Sequence, residues 1–418
     1  GCGRVGGFGQ IAHPLQAVVD GTAAGAVSTQ KPDQVLQQVN GFAPFFGQVE
    51  RTARAFDDGD GEGISAALVF GANLLVRGAG KLALSFGISP LVVGLTVVAF
   101  GTSAPEVAVS VSAVLDGRTD MAVGNVVGSN IFNVLFILGI SALIVPLVVN
   151  RQLIRQEVPI MFGVTALTVA LASDGSLRQW EGALLLGLLV VYTVFLVVQS
   201  RRESAAAGAA QAGQGDEFAD ELQPSAPGAW DAKLPAQLAL IAAGLALLVL
   251  GSDWLVTAAV AFAKALGVSD VVIALTIVAA GTSMPEVATS ITAAIKGERD
   301  IAVGNVVGSN TFNILGCLGI SGLVAGSGGL PVAPSLLAFD MWVMLAVALA
   351  CLPMFATGGE IARWEGGVFA GYYVAYVSYL ILAAQAHDAL GAFSNVMLWF
   401  VVPLTVITLV VSVVRRKG

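Results

Sequence analysis

The hexapeptide "GTSAPE" (Gly101–Glu106) interrupts an apolar run, with "LVVGLTVVAF" (Leu91–Phe100) before it and "VAVSVSAVL" (Val107–Leu115) after it. Proline has no N–H and clashes with the carbonyl four residues back. Pro105 therefore frees the carbonyl of Gly101, while the Gly and Thr-Ser beside it let the backbone unwind. Freed backbone at membrane depth survives only where it is buried in protein or lines a cavity. A carboxylate at that depth costs about 2.5–3.5 kcal/mol on insertion scales. A kink with a solvated glutamate would explain one such stretch. The device recurs as "GTSMPE" (Gly281–Glu286) in the same apolar setting, and two copies require a use for the oxygens.

Composition sets the solvent. Of 418 residues, 56% are hydrophobic and 11% charged, and the mean hydropathy is +0.83. Soluble domains carry about 25% charged residues, so this chain belongs in a bilayer. A spanning helix needs about 20 predominantly apolar residues. Such segments are expected near 64–86, 88–115, 120–147, 157–173, 180–200, 235–263, 268–296, 300–325, 336–356, 364–385 and 395–414. No period-2 pattern of a barrel appears, so the class is an all-α polytopic membrane protein. Cys2, Cys317 and Cys351 make no disulfide framework.

Aligning Leu91–Ile144 on Val271–Val324 needs a shift of 180 residues and no gap, and 33 of the 54 positions are identical. "AVGNVVGSN" is unbroken in both copies (Ala122–Asn130 and Ala302–Asn310), and "QWEG" at Gln179 returns as "RWEG" at Arg363. Equivalent helices are separated by five crossings, an odd number, so the second copy is inverted relative to the first. Inverted repeats that meet near the midplane are an architecture of secondary transporters. The expected organisation is a polar N-terminal extension (1–63), a first repeat of five helices (64–200) and an acidic linker (201–233). A second, inverted repeat (234–385) and an additional C-terminal helix within 386–418 complete it. The Ala/Gly/Gln-rich stretch 203–232 reads as disordered.

Lysine and arginine in short loops mark the cytoplasmic side. With the N-terminus outside, inside loops hold Arg151, Arg155, Arg201, Arg202, Lys233, Lys296, Arg299 and Arg363, and the end of the chain adds Arg415, Arg416 and Lys417. Outside loops between helices hold Arg118, Arg178 and Lys264. The count puts the linker and the C-terminus in the cytoplasm of a plasma (bacterial inner) membrane protein.

Within "GNVVGSNIFN", Asn125, Ser129 and Asn133 fall at i, i+4 and i+8, a polar stripe on an apolar helix. Asn305, Ser309 and Asn313 repeat it. Gly124 and Gly128 form a small-xxx-small pair suited to close helix packing. Carboxylate, hydroxyl and carbonyl oxygens together are the ligand set of a hard cation.

At these residues the chain resembles the sodium/calcium exchanger family of the cation/calcium antiporter superfamily, through "AFGTSAPE…GNVVGSNIFN" and "AAGTSMPE…GNVVGSNTFN", over roughly 64–385. The resemblance implies ten core helices and ions bound at the centre of a four-helix cluster. It implies Glu106 and Glu286 as calcium carboxylates, with backbone carbonyls from Thr102 and Thr282. Ser103, Ser283, Ser129 and Ser309 would serve sodium, with the carbonyls of Ala99 and Ala279, and Asn133 and Asn313 complete the middle. Ca2+ and Na+ are then transported ions, with no cofactor, no nucleic acid, no obligatory protein partner, and the lipid bilayer as surroundings. Asn313, where some relatives carry Asp, resembles the potassium-independent branch. The counterpart of Leu234–Leu250 is the polar "RAFDDGDGEGISAALVF" (Arg54–Phe70), which predicts a first helix shortened at its outer end.

"DGDGEG" (Asp58–Gly63) places glycine at the sixth position of an EF-hand loop, but Val69 stands where the twelfth-position Glu belongs. It reads as an acidic solvated loop. An intramembrane hydrolase with paired carboxylates would need two carboxyls in different surroundings, whereas these two have near-identical neighbours. A passive channel favours a continuous polar path over two broken-helix sites. Protons as the driving ion, and other divalent cations such as Mn2+ as cargo, remain alternatives within the antiporter reading.

Overall fold

The computed structural model describes residues 62–86, 88–210, 233–265, 279–356 and 358–415. The extension and its "DGDGEG" motif therefore lie outside the described residues, apart from the first helical residues at 62–63. The chain is helical: α1 (Glu62–Phe86), α2 (Pro90–Thr102), α3 (Ala104–Leu115), α4 (119–144), α5 (Leu153–Asp174) and α6 (Gln179–Ala210), then α7 (Leu234–Ala265), α8 (Ala279–Thr282), α9 (Met284–Ile295), α10 (Arg299–Gly328), α11 (Leu336–Ala356), α12 (Arg363–Ala384) and α13 (389–415). Among the described residues, nine helices are long and apolar enough to cross a membrane, and α2–α3 makes ten when the bent pair counts as one span. The break lies where "GTSAPE" puts it, with a 41° bend between Thr102 and Ala104.

The first helix is described from Glu62 onward, and positions 54–61 of its polar stretch lie outside the described residues. It runs 25 residues, and its apolar part, Ala67–Phe86, has 20 residues, about 30 Å at 1.5 Å per residue and enough for the hydrocarbon core. Its partner is α7, and glycine sets the spacing. A Cβ on Gly244 would lie 2.7 Å from the Leu75 nitrogen and 2.8 Å from the Gly71 carbonyl oxygen. Gln237 Nε2 donates to Ser85 Oγ at 2.6 Å along the same seam. At the other end of the first half, α6 continues through Ala210, into the segment whose composition reads as linker. Alanine is the strongest helix former, and "ESAAAGAA" extends the turn already begun.

The inverted pairing of the halves is visible in the contacts. Strand β1 (Leu147–Val148) pairs antiparallel with β4 (Glu360–Ile361), and β2 (Ser176–Leu177) pairs with β3 (Leu330–Pro331). Each ribbon joins one half to the other. The "WEG" motifs work the same way twice. Trp180 and Trp364 are exposed at helix starts, the place where amphipathic rings meet a membrane interface. Glu181 accepts the Arg178 backbone N–H at 2.7 Å, and Glu365 accepts that of Ala362 at 2.8 Å, satisfying amides that the first helical turn leaves free. Gly182 packs on Gly319 and Gly322 of α10, while Gly366 packs on Gly139 and Ala142 of α4. A small residue is needed there because the backbones touch.

The helix α13 adds to this arrangement through Tyr372, whose hydroxyl donates to Thr405 Oγ1 at 2.7 Å. Its apolar side chains Leu398, Trp399 and Phe400 are exposed, as suits a helix facing lipid.

A Cβ on Gly366 would lie 2.6 Å from the carbonyl oxygen of Gly139 and 2.8 Å from Ala142 Cβ. Gly366→Ala is therefore expected to destabilise the fold by about 1–3 kcal/mol through overpacking, whereas Gly371→Ala on the same helix, with open space around it, is expected to be neutral. Thermal unfolding of the two purified variants in detergent checks this; equal melting points would contradict the cross-half packing.

Candidate cation-binding site

Proline does not sit inside a continuous helix at either break. It falls in the first turn of a new one, α3 or α9, where its missing N–H costs no hydrogen bond. The residue after it is therefore a first-turn glutamate, Glu106 or Glu286, at the positive end of a helix dipole. Both glutamates are fully buried.

Each carboxylate is held by the other half. Ser283 Oγ donates to Glu106 Oε1 at 2.9 Å, and Ser103 Oγ donates to Glu286 Oε1 at 3.1 Å. Ser309 Oγ lies 3.5 Å from Glu286 Oε1 and 3.5 Å from Thr102 Oγ1. The polar stripe on α4 and α10 supports the breaks from behind. Thr102 Oγ1 donates to Asn305 Oδ1 at 3.2 Å, and Thr282 Oγ1 lies 3.5 Å from Asn125 Oδ1. Asn125 Nδ2 in turn donates to Ser110 Oγ at 3.1 Å, and Asn305 Nδ2 to Ser290 Oγ at 3.0 Å. Ala99 presents its carbonyl to the Ser103 N–H at 3.0 Å and to Thr102 Oγ1 at 3.4 Å. Ala279 opens the short helix α8. The carbonyl of Gly281, freed by Pro285, accepts a hydrogen bond from Ser252 of α7, which ties the break to that long helix.

The structure thus gathers Thr102, Thr282, Ser103, Ser283, Glu106, Glu286 and Ser309 into one network. Asn133 and Asn313 lie where α4 and α10 each widen into a π-helical turn, Asn133–Leu138 and Asn313–Leu318, a feature frequent at functional sites. Their amides cross between the halves: Asn133 Nδ2 donates to Asn310 Oδ1 at 3.0 Å, and Asn313 Nδ2 to Asn130 Oδ1 at 3.2 Å. Four buried oxygens in this region have no hydrogen-bond partner among the described residues: Glu106 Oε2, Glu286 Oε2, Ser129 Oγ and Asn133 Oδ1. Leaving a buried acceptor unmatched costs about 1–3 kcal/mol, more for a charged one. All four are hard oxygen donors, and among the described residues no group of three or more His, Cys, Asp or Glu gathers. The donor set, with its two carboxyl groups, fits a hard cation.

Several residues of this network stand outside the sequence reading. Ser110 and Ser290 occupy equivalent repeat positions, as do Asn130 and Asn310, and that equivalence is the signal that could have found them. A second symmetric pair lies away from the centre: Tyr192 donates to buried Glu157 at 2.7 Å, and Tyr376 to buried Asp340 at 2.7 Å. Tyr192 and Tyr376 are related by the same shift of 184 that relates the "WEG" motifs. An apolar crevice of about 1030 Å³ opens beside the first break, lined by residues such as Phe100, Leu189, Leu245 and Phe312. Its lining offers a cation no charge, so the polar network, and not this larger space, is the candidate site.

The chain matches the sodium/calcium exchanger protein family over residues 63–198 and 236–382. It is 40% identical to the putative antiporter CaxA of Alkalimonas amylolytica over 76% of this chain and 96% of that protein. It is 35% identical to inner membrane protein YrbG of Escherichia coli (75% and 93%). Sodium/calcium exchanger MaX1 of Methanosarcina acetivorans is 34% identical (74% and 94%). The fold is similar to that of the sodium-calcium exchanger NCX_Mj, with a TM-score of 0.62 and 29% identity over 75% of this chain and 95% of that one. With its two inverted halves and its shared, twice-broken centre, this multi-pass membrane protein belongs to the sodium/calcium exchanger family.

Proposed function

We propose that the chain exchanges Ca2+ for Na+ by alternating access, with both ions bound where the two broken helices meet. One observation carries this reading: two fully buried glutamates, each held by a serine of the opposite half, each keep one carboxylate oxygen unmatched among the described residues. Glu106 and Glu286 supply the charge for calcium, with the backbone carbonyls of Thr102 and Thr282 as further ligands. Ser103, Ser283, Ser129 and Ser309, with the carbonyls of Ala99 and Ala279, serve sodium, and Asn133 and Asn313 close the middle. The halves 64–200 and 234–385 rock about this centre, while 201–233 and the C-terminus face the cytoplasm. MaX1 and NCX_Mj, by name sodium/calcium exchangers, support the choice of ions.

Charge arithmetic gives the coupling. Two ionised carboxylates are neutralised by one calcium or by two or more monovalent ions, protons included, and by nothing when the site is empty. Moving an empty, doubly negative site through a low-dielectric barrier costs several kcal/mol at least, and each 1.4 kcal/mol slows a step tenfold. The empty carrier therefore stays put and exchange is obligatory.

The primary test is calcium uptake into proteoliposomes under an imposed sodium gradient, repeated under a proton gradient. Uptake driven by sodium is expected, and uptake driven by protons alone would replace sodium as the partner ion. Glu106→Gln and Glu286→Gln each keep the shape and remove one charge, so each is expected to lower calcium transport about a hundredfold or more while the protein stays folded. Near wild-type transport in either variant contradicts the site.

Vesicles loaded with calcium and moved into sodium-free, calcium-free medium at neutral pH are expected to retain it until sodium or calcium is added outside. Rapid loss would mean a channel. With Asn at 133 and 313, the cluster has no third carboxylate to hold an extra monovalent ion beside calcium. Omitting potassium from both sides of the membrane is expected to leave the exchange rate unchanged, and a strict potassium requirement would refute this ligand count.

A further inference from the structure

An asparagine side chain presents oxygen at one end and N–H at the other, and a cation accepts only the oxygen. Something must therefore decide which way Asn133 and Asn313 point. The hydrogen bonds around them fix the answer without ambiguity, because the chain of contacts starts at a backbone carbonyl, a group that only accepts. Asn130 Nδ2 donates to the Asn310 carbonyl at 3.2 Å, and Asn310 Nδ2 donates to the Asn130 carbonyl at 3.3 Å. With their N–H groups committed there, Asn130 and Asn310 each turn Oδ1 the other way. That oxygen can only accept, so the amide facing it must present N–H. Asn133 does so toward Asn310 Oδ1, and Asn313 toward Asn130 Oδ1. The oxygens of Asn133 and Asn313 are then turned away from this seam. Asn133 Oδ1 has no partner among the described residues, and Asn313 Oδ1 receives only the weak donor Cys317 Sγ at 3.5 Å.

We propose that Asn130 and Asn310 are positioning residues that lock the two central amides across the inverted halves, so that oxygen and never N–H is offered to the transported cation. The proposal rests on the reading of Asn133 and Asn313 as site residues. All four asparagines are 3% exposed or less, so no water competes for these bonds. The pairing is crossed. Asn130 acts on Asn313, 183 residues away, and not on Asn133, three positions along its own helix. Freeing the lock lets the central amide rotate, which loses one ligand oxygen and turns an N–H dipole on the cation.

A double-mutant cycle on calcium affinity tests the crossing, measured as the KM for calcium in proteoliposomes beside the maximal rate. Asn130→Ala and Asn310→Ala are each expected to raise KM about tenfold, the size of one hydrogen-bonded contact to a charge, with a smaller change in maximal rate. Asn130→Ala is expected to add nothing further to Asn313→Ala, yet to act in full on top of Asn133→Ala. Asn310→Ala is expected to behave in the reverse way. A merely structural role would weaken all four combinations alike, and that result overturns the proposal. Where an alanine variant does not fold, Asn130→Ser and Asn310→Ser replace it, since a serine oxygen can still accept from the central amide. They are expected to keep part of the affinity, and loss as complete as in an unlocked amide would count against the lock. If Asn133→Ala and Asn313→Ala leave KM unchanged while Glu106→Gln abolishes transport, the carboxylate site stands and both the asparagine ligands and their lock fall.

Discussion

Two carboxylates that share one buried place inside a membrane set the terms for everything else in this molecule. Each charge taken from water costs several kcal/mol even after relaxation, and two like charges add to that cost. The chain answers with features that each reduce it. Both glutamates sit in the first turn of a helix, where the backbone dipole favours an anion, and each accepts a serine hydroxyl from the opposite half. What these contacts leave unmatched among the described residues is one oxygen per carboxylate, which on the proposed reading the transported ion would complete. The inverted repeat follows from the same constraint. A site whose two halves are equivalent lies on the pseudo-twofold axis and presents the same chemistry to both faces of the membrane.

Packing serves that centre at close range. The halves are stitched by two short ribbons and by glycines at which helix backbones nearly touch. Where a Cβ would meet a carbonyl oxygen at less than 3 Å, the contact transmits displacement with little slack, because protein interiors are close-packed. The ribbons and glycine contacts join elements of opposite halves, so a shift in one is felt in the other.

The breaks were legible in the sequence because proline, glycine and glutamate together inside an apolar run have few uses, and because the repeat states them twice. Nine helices and the bent pair α2–α3 were legible from length and hydropathy, while the start of the expected 268–296 span lies outside the described residues. The partners of the site residues were not legible. Ser103 and Glu286 are 183 residues apart, and a buried serine can as easily donate to the carbonyl one turn back on its own helix, as Thr165 does to Met161. The Glu157–Tyr192 and Asp340–Tyr376 pairs escaped for a similar reason: a single acidic residue near a helix end reads as solvated until a tyrosine from the next helix is seen on it. Arg54–Phe70 is polar against its counterpart, and α1 takes its 20 apolar residues from Ala67 onward, packed against α7.

Equivalence in sequence is not equivalence in contact. Ser129 and Ser309 are the same residue at the same repeat position, but Ser309 reaches Glu286 Oε1 at 3.5 Å while Ser129 Oγ has no partner among the described residues. Thr102 lies 3.2 Å from Asn305 and its counterpart Thr282 lies 3.5 Å from Asn125. The two halves thus offer one chemistry, with contact distances that differ only slightly. Under the alternating access proposed above, the two inverted halves would differ in conformation in any single state. If both halves had the same conformation, the molecule would be equally open, or equally closed, to both sides. On the alternating-access proposal, the mirror state would seat Ser129 on Glu106 and free Ser309 from Glu286. The asparagine seam is symmetric, with reciprocal bonds of 3.2 and 3.3 Å, so on the same proposal it would stay closed while the hydroxyls around it trade places.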